Sequence, residues 1–319
     1  MYESLLELDN IRLNFSSESL LVLNVALGLI MFGVALEIKV AHFQRVIANP
    51  KSTLIGLFSQ FLLLPMTTFF IIVALRTKIT STVALGMILV ASCPGGNISN
   101  FISNLAKGNV ALSVSLTAIA TFLAMFVTPF SFAFWGGLYT NYVSRVDAES
   151  LLRPLEINPN NIFASILVLL GIPLVVGMLA NHYLPRLTRV LVKPLKIFSI
   201  IFFMGVVLLA FNKNYDFFVA HIHYVFIIVL THNTLAFGSG YFLSTVFRLN
   251  KTDRRAITIE TGIQNSGLAL VLIFNPKIFP LSMHIGGMAF IAAWWGIWHI
   301  LAGLSLAAVW SRKNLNRQF

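Results

Sequence analysis

Two stretches decide how this chain folds: Cys93-Pro94-Gly95-Gly96-Asn97-Ile98-Ser99-Asn100 and Glu260-Thr261-Gly262-Ile263-Gln264-Asn265-Ser266-Gly267. Each interrupts a long apolar segment with glycine and amides, and the second adds a carboxylate. Backbone N–H and C=O groups cannot stay unpaired in lipid, so irregular chain at that depth is buried in protein or lines a wet cavity. Two such interruptions at corresponding positions of two halves point to a transporter binding site.

The composition agrees. Of 319 residues 57% are hydrophobic and only 10% are charged, against about 25% charged in a soluble domain. The charges cluster between apolar runs, the pattern of a polytopic membrane protein with a lipid-embedded all-α fold. Cys93 is the lone cysteine, which excludes an intrachain disulfide and a cysteine zinc cluster. Met1 to Arg12 is acidic and polar, so no cleavable signal peptide is expected there. Asn14-Phe15-Ser16 matches a glycosylation sequon that short chance matches explain.

A helix crosses the hydrocarbon core with about 20 apolar residues. Nine crossings are expected, at about 18–38, 53–75, 80–106, 109–133, 161–183, 196–211, 219–247, 254–275 and 283–311. With the N-terminus outside, the outer segments hold Arg12, Arg76, Lys78, Arg145, Arg153, Lys213 and Lys277, and the other 15 of the 22 Lys and Arg lie inside. The positive-inside rule therefore favours N-out and C-in. The net charge of +11 is then a topology signal, and no nucleic-acid partner is expected. Polar residues 134–160 form the outer connection, as a loop or interfacial helix.

Spans 5 to 9 make a five-helix unit (161–311) whose fourth member is broken at Glu260–Gly267. Spans 1 to 4 make a four-helix unit (18–133) whose third member is broken at Pro94–Asn100. Adding one absent helix at the front aligns the breaks, so a 5+5 inverted repeat lacking its first helix is expected. Residues 1–17 precede it outside and 312–319 form a cytoplasmic tail.

Half-helix starts offer free N–H groups and a positive dipole, while half-helix ends offer carbonyls and a negative one. Starts near Asn97 and Ser266 suit an anion, and ends near Ser92 and Glu260 suit a cation. Glu260 at the bilayer centre costs on the order of 2.5–3.5 kcal/mol, so it needs a cavity and a partner. No Lys or Arg follows it in its span, which leaves a bound cation or a proton. Ser99, Asn100, Ser113, Thr117 (i, i+4 with Ser113) and Gln60 supply neutral oxygens that suit a hard monovalent cation. His221, His223, His232, His284 and His299 show no mutual metal-ligand spacing. Gly238-Ser239-Gly240 reads as close helix packing. Phosphate-loop, G-x-S-x-G and H-E-x-x-H motifs are absent from the sequence, and Glu260 lacks an evident nucleophile or metal partner, so an enzyme is not expected.

The segment Leu85–Asn100 with its continuation Lys107–Val114, the segment Ile259–Ala269, and Trp298-His299 together resemble the bile acid:sodium symporter family, over about Ala26 to Trp310. The resemblance implies two crossing discontinuous helices, a core domain (spans 2, 3, 4, 7, 8 and 9) and a panel domain (spans 1, 5 and 6) that rocks against it. The chain looks like the family's nine-helix form. It implies one sodium site on Ser99, Asn100, Ser113, Thr117 and Glu260. A second falls on Gln60, Glu260 and Gln264 with the carbonyls of Thr261 and Ile263. Asn97, Asn265 and His299 would face the substrate. Asn97 and Ile300 depart from some bacterial relatives, which carry a small hydroxyl residue and an asparagine there. The implied activity is sodium-coupled symport of an organic anion in a cell membrane, with two sodium ions and no other cofactor. The alternatives are proton coupling through Glu260, or a membrane sensor that binds the anion without transport.

Overall fold

In the computed structural model the described residues are 1–9, 17–39, 44, 50–146, 164, 167–213, 215–275, 278–279 and 283–312. The expectations for Arg12, Arg45, Arg153, Lys277, Lys313, Arg317, the sequon and the connection from 147 to 160 lie outside them.

Among the described residues twelve helices follow one another: α1 (Tyr2–Asp9), α2 (Ser17–Ala35), α3 (Pro50–Ala74), α4 (Ser81–Ser92), α5 (Ile98–Leu105), α6 (Val110–Val146), α7 (167–183), α8 (Pro185–Lys213), α9 (Tyr215–Val246), α10 (Lys251–Gly262), α11 (Ser266–Ile273) and α12 (Gly286–Arg312). Among the described residues four stretches are long and apolar enough to cross a membrane by length and composition: Pro50–Ala74, Val110–Val146, Ile222–Val246 and Gly286–Arg312. The chain is an all-α polytopic membrane protein. Two elements run longer than the hydropathy suggested. The helix expected to end near 133 continues to Val146, and the one expected to begin near 196 begins at Pro185. Backbone hydrogen bonding carries a helix past the end of its apolar run, so hydropathy alone misplaces such ends.

The two broken helices have local causes. Cys93 precedes Pro94, which disfavours the helical region, and Cys93 is extended at φ −75° and ψ 158°. Ile263 is extended at φ −107° and ψ 93° and ends α10. Pro65 acts on α3, where its ring conflicts with the carbonyl of the preceding turn. A π-turn at Ser59–Leu63 absorbs the conflict and leaves Ser59 and Gln60 buried. Such π-bulges interrupt helices frequently at functional sites.

Packing assembles these parts around α4, which is buried along almost its whole length. Helices α3, α6 and α12 pack on α4, and α10 and α11 lie against α9 and α12 respectively. Helices α2, α7 and α8 pack on one another. At one end of the bundle Arg255 Nη1 donates to Ala106 O at 2.8 Å, and Asp253 accepts from Ser52 Oγ and Asn109 Nδ2, both at 2.7 Å. At the other end α1, too short to cross, sits on α12, α9 and α4. There Asp9 accepts from the hydroxyls of Thr80 and Thr82.

Gly238 and Gly240 test the close-packing expectation separately. A Cβ at Gly240 would lie 2.8 Å from Thr258 Cα and 2.9 Å from Ile257 O, whereas Gly238 has open space. Gly240→Ala should therefore destabilise the protein by roughly 1–3 kcal/mol. Gly238→Ala should stay neutral or gain up to about 1 kcal/mol. Melting of the purified variants in detergent measures the contrast, and equal shifts would count against this packing.

Burial raises the Asp9 carboxyl from its ordinary value of 3.8 to about 6, against the opposing pull of the Thr82 and Thr80 hydroxyls. The docked form then holds more protons than the undocked one between those two values, so docking weakens as pH rises through that window and is firmest below it. Asp9→Asn mimics the protonated acid. Its melting temperature should match wild type near pH 4 and exceed it progressively by pH 7. Parallel curves would remove Asp9 as the titrating group.

Candidate functional site

The breaks meet each other. Gly95 and Gln264 form an isolated antiparallel bridge, Gly96 N donates to Ile263 O, and Asn265 N donates to Pro94 O, both at 2.8 Å. Each interruption thus satisfies backbone groups of the other where lipid and water offer nothing. The closeness needs glycine at 95. A Cβ there would overlap Glu260 Oε1 and lie 3.1 Å from Gln60 Nε2.

Glu260, on the last turn of α10, is 1% exposed. Ser99 Oγ donates to its Oε2 at 2.6 Å, Ser113 Oγ donates to the same oxygen at 3.1 Å, and Thr117 Oγ1 donates to Oε1 at 2.7 Å. All three donors are neutral hydroxyls, drawn from α5 and α6. Asn100 joins through Thr117, its Oδ1 3.2 Å from the Thr117 hydroxyl. Ser99, Asn100, Ser113, Thr117 and Glu260 therefore stand as one contiguous cluster.

Beside it lies a second group. Gln60 is fully buried, and neither its Oε1 nor its Nε2 has a hydrogen-bond partner. Gln264 donates Nε2 to Thr261 O at 2.8 Å, but its Oε1 is likewise buried and unpartnered. The Thr261 and Ile263 carbonyls each accept one bond and keep a second lone pair. Buried polar atoms without partners are few in folded proteins and call for an explanation. Here three of them belong to Gln60 and Gln264, and Gln60 Nε2 borders the same space beside Gly95 as Glu260 Oε1.

The expected anion-binding residues divide. Asn97 lines a cavity of about 1110 Å³, together with Glu37, Lys39, Asn100, Asn104, Thr117, Asn181, Arg189 and Lys196. Asn265 and His299 do not line it. Asn265 caps α11, accepting from Leu268 N at 3.0 Å. His299 is buried with Nδ1 unpartnered. It lies on the face of α12 shared with Gly296 and Gly303, which approach Ser266 and Ile263, so it belongs beside the second break. His232 bonds Thr68 Oγ1 at 2.7 Å and packs on Trp295, a structural role. His284 contacts the Asp9 carbonyl at 3.1 Å, and the side chain of His221 lies outside the described residues. Among the described residues no group of three His, Cys, Asp or Glu could hold a metal ion.

Sequence reasoning overlooked Glu37, Arg189 and Lys196. An acid at the end of an apolar span, at Glu37, was the one available sign. Lys196 Nζ lies 3.5 Å from Glu37 Oε1, with side chains 57% and 36% exposed, and such an exposed pair contributes about 0–1 kcal/mol. In the sequence Gly95 marks only a helix break; the room it leaves for Glu260 and Gln60 emerges from the fold.

The hydroxyl cluster makes a direct prediction. Thr117→Val keeps the shape but removes a donor from the buried carboxylate, and should cost about 1–3 kcal/mol. Thr234→Val removes a hydroxyl that bonds only Leu230 O on an exposed face, and should stay within about 0.5 kcal/mol. Thermal melting of both variants decides.

The model of the Sodium Bile acid symporter family matches residues 24–221. An uncharacterized sodium-dependent transporter of Bacillus subtilis (strain 168), YocS, is 30% identical over 296 residues, which cover 93% of this chain and 85% of that protein. A probable chloroplastic sodium/metabolite cotransporter of Oryza sativa subsp. japonica, BASS2, is 30% identical over 302 residues, 91% of this chain but 64% of the rice protein. The ileal sodium/bile acid cotransporter of Oryctolagus cuniculus is 29% identical over 288 residues, 87% of this chain and 78% of the rabbit protein. With the family match spanning most of the chain, this protein belongs to the sodium bile acid symporter family.

Proposed function

We propose that this chain is a sodium-coupled symporter of an organic anion that works by alternating access. The observation that carries the reading is the pair of buried, unpartnered oxygens, Gln60 Oε1 and Gln264 Oε1, beside the buried carboxylate of Glu260. A hard monovalent cation is the group that such oxygens lack. One sodium ion is assigned to Ser99, Asn100, Ser113, Thr117 and Glu260. A second is assigned to Gln60, Glu260 and Gln264 with the Thr261 and Ile263 carbonyls. The relatives named as sodium-dependent transporters support sodium over other ions.

The same reading assigns nine crossings: α2, α3, the broken pair α4–α5, α6, α7, α8, α9, the broken pair α10–α11, and α12. Residues 18–133 and 161–311 are taken as inverted halves. Helices α2, α7 and α8 are taken as the panel, in keeping with their mutual packing, and the rest as the core. The cavity opens at the end where Lys39, Arg189 and Lys196 gather. That end is taken as cytoplasmic, with the N-terminus outside, which makes this an inward-open arrangement. The same reading takes the membrane to be a plasma or bacterial inner membrane.

Coupling then has a physical route. Sodium neutralises Glu260 and holds α5, α6 and α10 together through the hydroxyl cluster. Asn97 and Asn100 lie on the same half-helix start, so ordering the ion cluster orders the anion-facing amides. By linkage, the anion must favour sodium as much as sodium favours the anion.

Melting of the purified protein with sodium, against choline at fixed pH, tests the reading. Sodium at 100 times its Kd should stabilise wild type by about 2.7 kcal/mol. Glu260→Ala should abolish the shift, and sodium-driven uptake into proteoliposomes with it. Gln60→Leu should weaken sodium about tenfold or more. A shift that follows pH and ignores sodium would transfer the coupling to protons. Binding of an anion without sodium-driven accumulation would leave a sensor.

A further inference from the structure

One carboxylate already occupies the cavity. Glu37, just past the end of α2, places Oε2 3.4 Å from Asn97 Nδ2 and Oε1 3.5 Å from Lys196 Nζ. It therefore bridges the amide that opens α5 and an ammonium on α8. We propose that Asn97 and Lys196 form the seat for the carboxylate of the cargo, that Glu37 fills this seat when no cargo is bound, and that an organic monocarboxylate displaces it. This assignment rests on the proposed symport and names the class of anion that would use it.

Three observations carry the assignment. First, among the described residues the lining holds Lys39, Arg189 and Lys196 against one acid, Glu37, so the cavity attracts an anion from solution. Second, the seat is built for one carboxylate: an amide donor stands on one side and an ammonium on the other, the geometry Glu37 itself displays. Replacing Glu37 by another carboxylate leaves the charge at the seat unchanged. The pair to be broken is exposed and screened by salt, so it is displaceable where a buried pair would not be. Third, Val34, Phe101, Val114 and Val192 also line the cavity. A volume of about 1110 Å³ far exceeds an inorganic ion, and these walls suit an apolar body attached to the carboxylate.

The seat also spans two groups of helices. Glu37 directly follows α2 and Lys196 lies on α8, while Asn97 caps the broken helix that reaches Glu260 through Asn100 and Thr117. A cargo carboxylate in this position would touch both the three-helix group and the ion-holding helices. A cargo gripped by only one of them could not report its presence to the other.

The test uses the purified full chain and four probes: hexanoate, cholate, hexanamide and cholamide. Each is titrated in saturating sodium and in choline, with melting as the readout. A carboxylate should stabilise wild type in sodium and its amide should not. Lys196→Met should weaken that carboxylate several-fold, with Lys196→Arg restoring most of the affinity. Glu37→Gln should tighten it several-fold, because the resident competitor is gone. A retained sodium shift in every variant shows that each is folded.

Unchanged affinity in Lys196→Met overturns the seat. Equal weakening by Glu37→Gln and Lys196→Met overturns the competitor role. Equal binding of acid and amide overturns carboxylate recognition. A sodium shift that depends on Glu260, without binding of either carboxylate, overturns this assignment while sodium coupling stands. The absence of any sodium shift in wild type overturns the symport reading itself.

Discussion

The backbone bridge between the two interrupted helices is the constraint on which everything else rests. Gly96 N to Ile263 O and Asn265 N to Pro94 O close a pair of hydrogen bonds in the middle of the protein. An interrupted helix alone would leave these groups unpaired at a cost of several kcal/mol in hydrocarbon. Two interruptions in register remove that cost. Neither break is stable without the other, so the distance between α4–α5 and α10–α11 is set by hydrogen-bond length.

That fixed distance places the chemistry. Pairing Gly95 with Gln264 brings Glu260 to within contact of the space a side chain at 95 would fill. The serine and threonine hydroxyls of α5 and α6 then converge on both carboxylate oxygens. On the far side of Glu260, Pro65 forces a π-turn that leaves Gln60 buried and unpartnered. One proline, one glycine and one carboxylate from three distant segments thus define a single small polar pocket.

Helix α5 links that pocket to the cavity. Ser99 faces Glu260, Asn97 and Asn100 face the cavity, and Thr117 touches both groups. Eight residues of helix are stiff enough to pass a displacement at one face to the other. The basic rim of the cavity, on α8 and the segment after α2, comes from helices that contribute nothing to the hydroxyl cluster around Glu260. Relative movement of these helices would change the cavity while leaving the cluster intact.

Much of this was legible in the residue order. Glycine, proline and amides inside apolar runs marked the two breaks, and Glu260, with no basic residue after Arg255 in its span, called for a cation or a proton. Ser113 and Thr117 shared a face by their spacing alone. The helix ends at Val146 and Pro185 were misread because hydropathy reports the lipid-facing portion and not the hydrogen-bonded one. Lys196 was read only as a charge to be counted for topology and Glu37 was not singled out, since sequence spacing says nothing about residues 159 positions apart. Likewise, Asn97, Asn265 and His299 read as one group, yet only Asn97 lines the cavity described. The sequence by itself determined where the helices must break and which side chains must escape lipid, because both follow from local backbone and solvation chemistry. Only the tertiary structure decided which escaped groups meet, because that depends on how one break pairs with the other.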